Sequence, residues 1–147
     1  MLNEQALGWR GYVSSLPING NTVPQRVQNL VIRDYARRHN LVYLLSATEY
    51  GLADCTMILA SVLQSLDDLE GLIFYSTHQL PKNQGAREAL IARIIGAGRS
   101  IHFALESLAV TRHEDVALLR DILMVRDLAL SGSDALPFTP WDGKAGD

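Results

Sequence analysis

Short apolar runs alternate with helical segments along this chain, and that alternation limits the fold more than any other feature. LVYLLS (41–46) is a continuous apolar run, and GLIFYS (71–76) is a second. Runs of this length read as strands buried on both faces. GWRGYVS (8–14), with aromatic and β-branched residues, and SIHFAL (100–105) read as two more strands. Between them lie segments with helical spacing. Pro24 to His39 opens on a proline suited to a first helical turn, and Val27, Leu30, Val31 and Tyr35 form its expected buried face. Asp34 and Arg38 are spaced as an i,i+4 pair, and Asn40 can end the helix. A second helix is expected from about Asp54 to Ser65, ending in the acidic turn DDLE. A third runs from about Gln84 to Ala97, with Asn83 as cap, Leu90, Ile91, Ile94 and Ile95 inward, and Gly98 closing it. A fourth covers about Glu114 to Leu130.

The order β-α-β-α-β-α-β-α predicts an α/β fold: a single, doubly wound, mostly parallel four-stranded sheet with helices on both faces. The chain has 147 residues, so one domain over residues 1–130 is expected. Residues 131–147 read as a C-terminal arm or partly disordered tail, with Phe138 and Trp141 able to dock it. No run approaches the roughly 20 apolar residues of a membrane span. The first residues, MLNEQALGWRGY, lack the basic start and long apolar stretch of a signal peptide. The lone Cys55 allows no internal disulfide, which fits a cytoplasmic protein.

Formal net charge is -3, spread unevenly. Residues 1–40 hold five arginines against Glu4 and Asp34, whereas residues 41–147 hold eight Lys and Arg against fourteen Asp and Glu. No broad basic face is available, so nucleic acid is disfavoured as a partner. There is no HExxH or paired CxxC, no Walker loop and no GxGxxG, so neither a metal nor a nucleotide cofactor is expected.

In a sheet of this kind, ligands bind in the crevice beyond the carboxyl ends of the strands. The polar residues of the chain gather where the apolar runs end. Ser14 and Ser15 follow the first run. Ser46, Thr48, Glu49 and Tyr50 follow the second, Tyr75, Ser76, Thr77 and His78 the third, and Glu106 and Ser107 the fourth. Gln25, Gln28 and Asn29 belong to the first helix, which starts at the same edge and offers free N–H groups to an anion. The acid–base candidates are Glu49, Glu106, His78 and Tyr75. The substrate-binding candidates are Ser14, Ser15, Gln25, Gln28, Asn29, Arg33, Ser46, Thr48 and Ser76. Against each stands a structural reading. Ser and Thr cap helices and form turns, and a glutamate can cap a helix or pair with an arginine. His102 reads as a packed strand residue, Cys55 as structural, and His39 and His113 as surface residues.

RGYVSS (10–15), NTVPQRVQNLVIRDYARRHNL (21–41), YLLSATEYGLADC (43–55), GLIFYSTHQLP (71–81) and IHFALESL (101–108) resemble a family of small bacterial proteins, the sporadic carbohydrate cluster proteins. That resemblance implies a setting in the biosynthesis of surface carbohydrates such as lipopolysaccharide and O-antigen. It brings no established reaction and no catalytic residues. Within that setting two expectations stand. One is a protein that binds a sugar, sugar phosphate or sugar nucleotide at the strand ends, with cofactor-independent acid–base chemistry of an isomerase, epimerase or lyase type. The other is a non-catalytic partner of a biosynthetic enzyme. Apolar helices also make a homo-oligomer an expectation.

GYVSS, the helix PQRVQNLVIRDYARRHNL and the segment FYSTHQLPKN are similar to the catalytic domain of serine recombinases (resolvases). The departures fall on the chemistry. Ser14 stands where that pattern has an arginine, Leu16 where it has the nucleophilic serine, and His78-Gln79-Leu80-Pro81-Lys82 where it has its arginine-bearing motif. This second resemblance implies a resolvase-like fold and argues against recombination.

Overall fold

The computed structural model describes residues 7–18, 20–50 and 57–133, with side chains to residue 129. Among the described residues five strands form one sheet: β1 (Trp9–Ser14), β2 (Tyr43–Glu49), β3 (Gly71–Phe74), β4 (Ser100–Phe103) and β5 (Leu108–Val110). Their order is β2-β1-β3-β4-β5. The first four are parallel, and β5 runs antiparallel to β4. The helices are α1 (Gln25–Arg38), α2 (Met57–Leu63), α3 (Gln84–Gly96) and α4 (His113–Ser133). The protein is therefore α/β with a mixed five-stranded sheet. Contacts divide the chain into two compact units, residues 1–113 and 114–147.

Within the first unit, α1 carries the chain from β1 one way to β2, while α2 and α3 carry it the other way, to β3 and then β4. Right-handed crossovers then put α1 on one face and α2 and α3 on the other. Side chains alternate between the faces. Trp9, Val13, Ile73, Tyr75 and Ala104 pack with Ile32, Tyr35 and Ala36 of α1. Tyr12, Leu72, Phe74, Ile101 and Phe103 alternate with them along the strands and are buried. Tyr12, Phe74 and Phe103 form an aromatic ladder across three neighbouring strands, with ring centroids 4.7 and 5.8 Å apart. Between β1 and β3 the direction of the connections reverses, which is the switch point at which open α/β sheets bind ligands.

Three expectations need correction. The sheet has a fifth strand, missed because Leu108–Val110 is only three residues long and follows a tight turn in which Ser107 takes φ 56°. β2 is an edge strand, not one buried on both faces. An apolar run does not say where in a sheet its strand will lie. β2 also carries an extra residue: Arg10 pairs with Leu44 but Tyr12 with Ala47, and within this bulge Leu45 is 83% exposed. The strand continues to Glu49, so Ser46, Thr48 and Glu49 lie in it rather than in an exit loop. The third correction is the phase of α1. Its buried residues are Gln28, Ile32, Tyr35 and Ala36, while Val27 and Leu30 are exposed.

Other elements follow the expected chemistry. Leu90, Ile91, Ile94 and Ile95 of α3 are all buried. Asn83 caps that helix by accepting from the N–H of Ala86 at 2.9 Å. Gly98 closes it at φ +76°, a backbone conformation that favours glycine. Asp34 pairs with Arg38 and also with Arg37, both on the exposed side of α1. In the second unit α4 runs to Ser133, three residues into the expected tail. Leu119 and Leu123 are buried one turn apart, and Leu118, Met124, Val125 and Leu128 are exposed. Asp54, Cys55, Phe138 and Trp141 lie outside the described residues. No helix among the described residues is long and apolar enough to cross a membrane.

Candidate functional site

The carboxyl ends of β1, β3 and β4 are joined by one chain of buried and half-buried polar side chains at the switch point. It starts with Gln28, in the first turns of α1 and fully buried. Its Oε1 accepts from the N–H of Ser14 at 3.1 Å and from Nε2 of Gln79 at 3.0 Å. Its Nε2 donates to the carbonyls of Ser14 at 2.8 Å and Val23 at 2.9 Å. All four hydrogen-bonding positions of the amide are thus used inside the protein. Gln79 continues the chain, with its Oε1 accepting from the N–H of Ser76 at 3.3 Å. Ser76 caps the 3-10 turn Thr77–Gln79 and accepts from the N–H of His78 at 3.1 Å.

Glu106, in the turn between β4 and β5, completes the network. Its Oε2 accepts from Oγ of Ser76 at 2.7 Å and Oγ1 of Thr77 at 2.9 Å. The N–H of Thr77 lies 3.2 Å from both carboxylate oxygens. Glu106 therefore clamps the exit of β3.

Glu49 does similar work on the other side of β1, and it is 1% exposed. Its Oε1 accepts from the hydroxyl of Tyr12 at 2.9 Å and the N–H of Leu59 at 3.2 Å; its Oε2 accepts from the N–H of Ile58 at 3.1 Å. A carboxylate at the start of α2 meets the N–H groups and the positive end of the helix dipole. The two glutamates hold different elements, Glu49 the start of α2 and Glu106 the turn after β3.

The remaining predicted residues sort by exposure. Ser14 is buried, with its Oγ accepting from the N–H of Leu16 at 3.1 Å. Ser15 is exposed; its N–H and its Oγ both donate to the carbonyl of Glu49, at 3.0 and 3.4 Å. Gln25, Thr48 and His78 are half-buried, and Arg33 is exposed. Asn29 and Ser46 belong to a separate cluster, each within reach of the Tyr43 hydroxyl, at 3.4 and 2.8 Å. Tyr75 is only 7% exposed, and its hydroxyl has no hydrogen-bond partner among the described residues. Of the titratable candidates, His78 and Glu106 keep partial exposure at this edge.

Sequence reasoning missed Gln79 and Tyr12. Gln79 had a signal: Ser76-Thr77-His78-Gln79 has the S-x-x-Q spacing of a capping box. Tyr12 had none, because its bond to Glu49 spans 37 residues.

An apolar groove of about 320 Å³ lies between α2 and α3, walled by Leu59, Leu63, Pro81, Leu90 and Arg93, and it holds none of these polar candidates. Among the described residues, no group of three or more His, Cys, Asp or Glu is placed to hold a metal ion. Comparison of the chain with protein-family models, with curated proteins and with solved structures gave no match.

Proposed function

We propose that this chain is a cytoplasmic protein of bacterial surface-carbohydrate biosynthesis that binds a sugar derivative at the carboxyl ends of β1 and β3. One observation carries the binding part. A hydrogen-bonded polar network, buried at Ser14, Gln28 and Ser76 and half-buried at Gln79 and Glu106, ties three strand exits together at the switch point. Buried polar groups cost stability unless satisfied, and a satisfied network makes its surroundings rigid. Rigid loops are what a ligand site needs. The carbohydrate setting, and a resolvase-like origin of the fold, rest on the sequence resemblances alone.

In this reading Ser15, Gln25, Tyr75 and His78 meet the ligand. Gln28, Ser76, Glu49 and Glu106 position the loops around it. A paired-carboxylate mechanism is disfavoured, since each carboxylate is engaged with donors of a different element. His78 and Tyr75 are the proton carriers left for any chemistry.

A second reading, a non-catalytic partner of a biosynthetic enzyme or a homo-oligomer, is favoured by the apolar residues exposed in the first unit. Val27, Leu30 and Leu45 are 41%, 57% and 83% exposed.

A thermal-shift screen against sugars, sugar phosphates and sugar nucleotides separates the two. A ligand present at about 100 times its Kd adds about 2.7 kcal/mol of stability. The binding reading expects a hit that Tyr75→Phe or His78→Ala weakens. No shift across the panel, together with self-association or capture of a biosynthetic enzyme, would move the assignment to the second reading.

A further inference from the structure

On the reading that this edge holds a sugar derivative, we propose that its ligand is a neutral, hydroxyl-rich sugar and not a phosphate ester or a nucleotide-linked sugar. In α/β proteins, anions are held by N–H groups at helix starts and tight turns, usually with Lys or Arg beside them. Here two such donor sets already hold carboxylates of the chain. The N–H groups of Ile58 and Leu59 at the start of α2 go to Glu49. The N–H of Thr77 and the hydroxyls of Ser76 and Thr77 go to Glu106. The residues next to the strand ends add no cation: 14–17, 48–50, 75–80 and 105–108 contain two glutamates, one histidine and no Lys or Arg, and Lys82 follows two residues later, exposed. A phosphate entering this edge would find the donors of both turns taken and would meet the half-buried Glu106 carboxylate, and like charges brought together oppose binding.

What the edge does present suits a neutral polyol. Ser15 is exposed with a hydroxyl that can also accept, and the hydroxyl of Tyr75, a 7% exposed residue, has no hydrogen-bond partner among the described residues. His78 is half-buried, and Tyr50 is a 64% exposed aromatic ring at the end of β2. Among the described residues, the features that favour an anion are the exposed Lys82 and the start of α1, which has no side-chain cap and no acidic residue in its first turn, and which carries Arg26.

The experiment is a calorimetric titration of the whole chain with neutral mono- and disaccharides, each paired with its own phosphate ester, and with inorganic phosphate. The neutral sugar is expected to bind about tenfold or more tightly than its ester. Its affinity should not change with ionic strength, and inorganic phosphate should not displace it. Glu106→Gln, which removes the partly exposed carboxylate charge at this edge, is expected to narrow the gap between sugar and ester. If that variant does not fold, the wild-type ratio decides alone. An ester that binds as tightly as its sugar, or a sugar displaced by inorganic phosphate, overturns the inference and leaves the binding reading intact. Failure of every sugar and ester to bind overturns both.

Discussion

His102 shows how one residue can tie three elements together. Its Nδ1 lies 2.8 Å from the hydroxyl of Tyr35 in α1, and its Nε2 lies 3.0 Å from Oγ of Ser100. Ser100 in turn accepts from the indole N–H of Trp9 in β1 at 2.8 Å. Burial pushes the imidazole down to about 4, with His39 adding to the effect, so the folded protein holds it neutral. The sign follows from linkage. Below its ordinary value of 6.5 the unfolded chain takes up a proton that the folded chain refuses. Stability from this residue is therefore complete above pH 6.5 and lost as pH falls toward 4. The loss across that window is about 3 kcal/mol. Denaturant melts at neutral and acidic pH check this, with His102→Gln as control. An equally steep acid loss in that variant would rule His102 out as its source. Gln28 gives the second prediction at this scale. Gln28→Leu leaves the N–H and carbonyl of Ser14, the carbonyl of Val23 and the amide of Gln79 without their partner, and is expected to cost about 2–4 kcal/mol. Denaturant unfolding measures the cost, and a loss under about 0.5 kcal/mol, the range of ordinary surface changes, would contradict the network.

At the scale of elements, close approach decides where glycine is required. Gly71 opens β3 opposite Ser100 of β4, and a Cβ there would strike the Ser100 backbone carbonyl. Backbone cannot swing aside as a side chain can. Gly71→Ala is thus expected to destabilise by about 2–3 kcal/mol through forced separation of the strands. Gly96→Ala, in α3 with open space around the new methyl, should be neutral or stabilising by up to about 1 kcal/mol. Melting the two variants side by side tests the contrast, and equal effects would refute it. The elements also show where patterning succeeds and where it fails. The inward face of α3 is legible because four large aliphatic residues repeat at helical spacing. The face of α1 is not, because a glutamine holds a core position that Val27 and Leu30 seemed to claim. Composition alone cannot reveal a polar residue whose partners lie on other elements. The strand-end cluster was legible as a list of residue types at one edge. Which of its members are buried clamps and which meet solvent was not.

For the first unit as a whole, strand order sets the stability profile. β1 and β3 are central, while β2 and β5 are the edges. Hydrogen exchange should find the slowest amides in β1 and β3 and faster ones in β2 and β5. Fast exchange in β3 with protection in β2 would contradict the order. What the chain itself determines is local. Apolar runs mark strands, helical spacing marks helices, Asn83 and Gly98 mark helix ends, and polar residues mark the strand exits. These follow from side-chain periodicity and backbone preference, which act over a few residues. Tertiary structure alone decides that β2 is an edge, that β5 exists and that Gln28 is buried. It alone turns Glu49 and Glu106 into clamps. The bonds that do so join residues far apart in sequence: Gln79 to Gln28 across 51 positions and Ser76 to Glu106 across 30. No periodicity encodes such pairs. They form only when packing of the sheet brings the strand exits side by side, and that packing is what turns a scatter of Ser, Gln and Glu into a single polar edge.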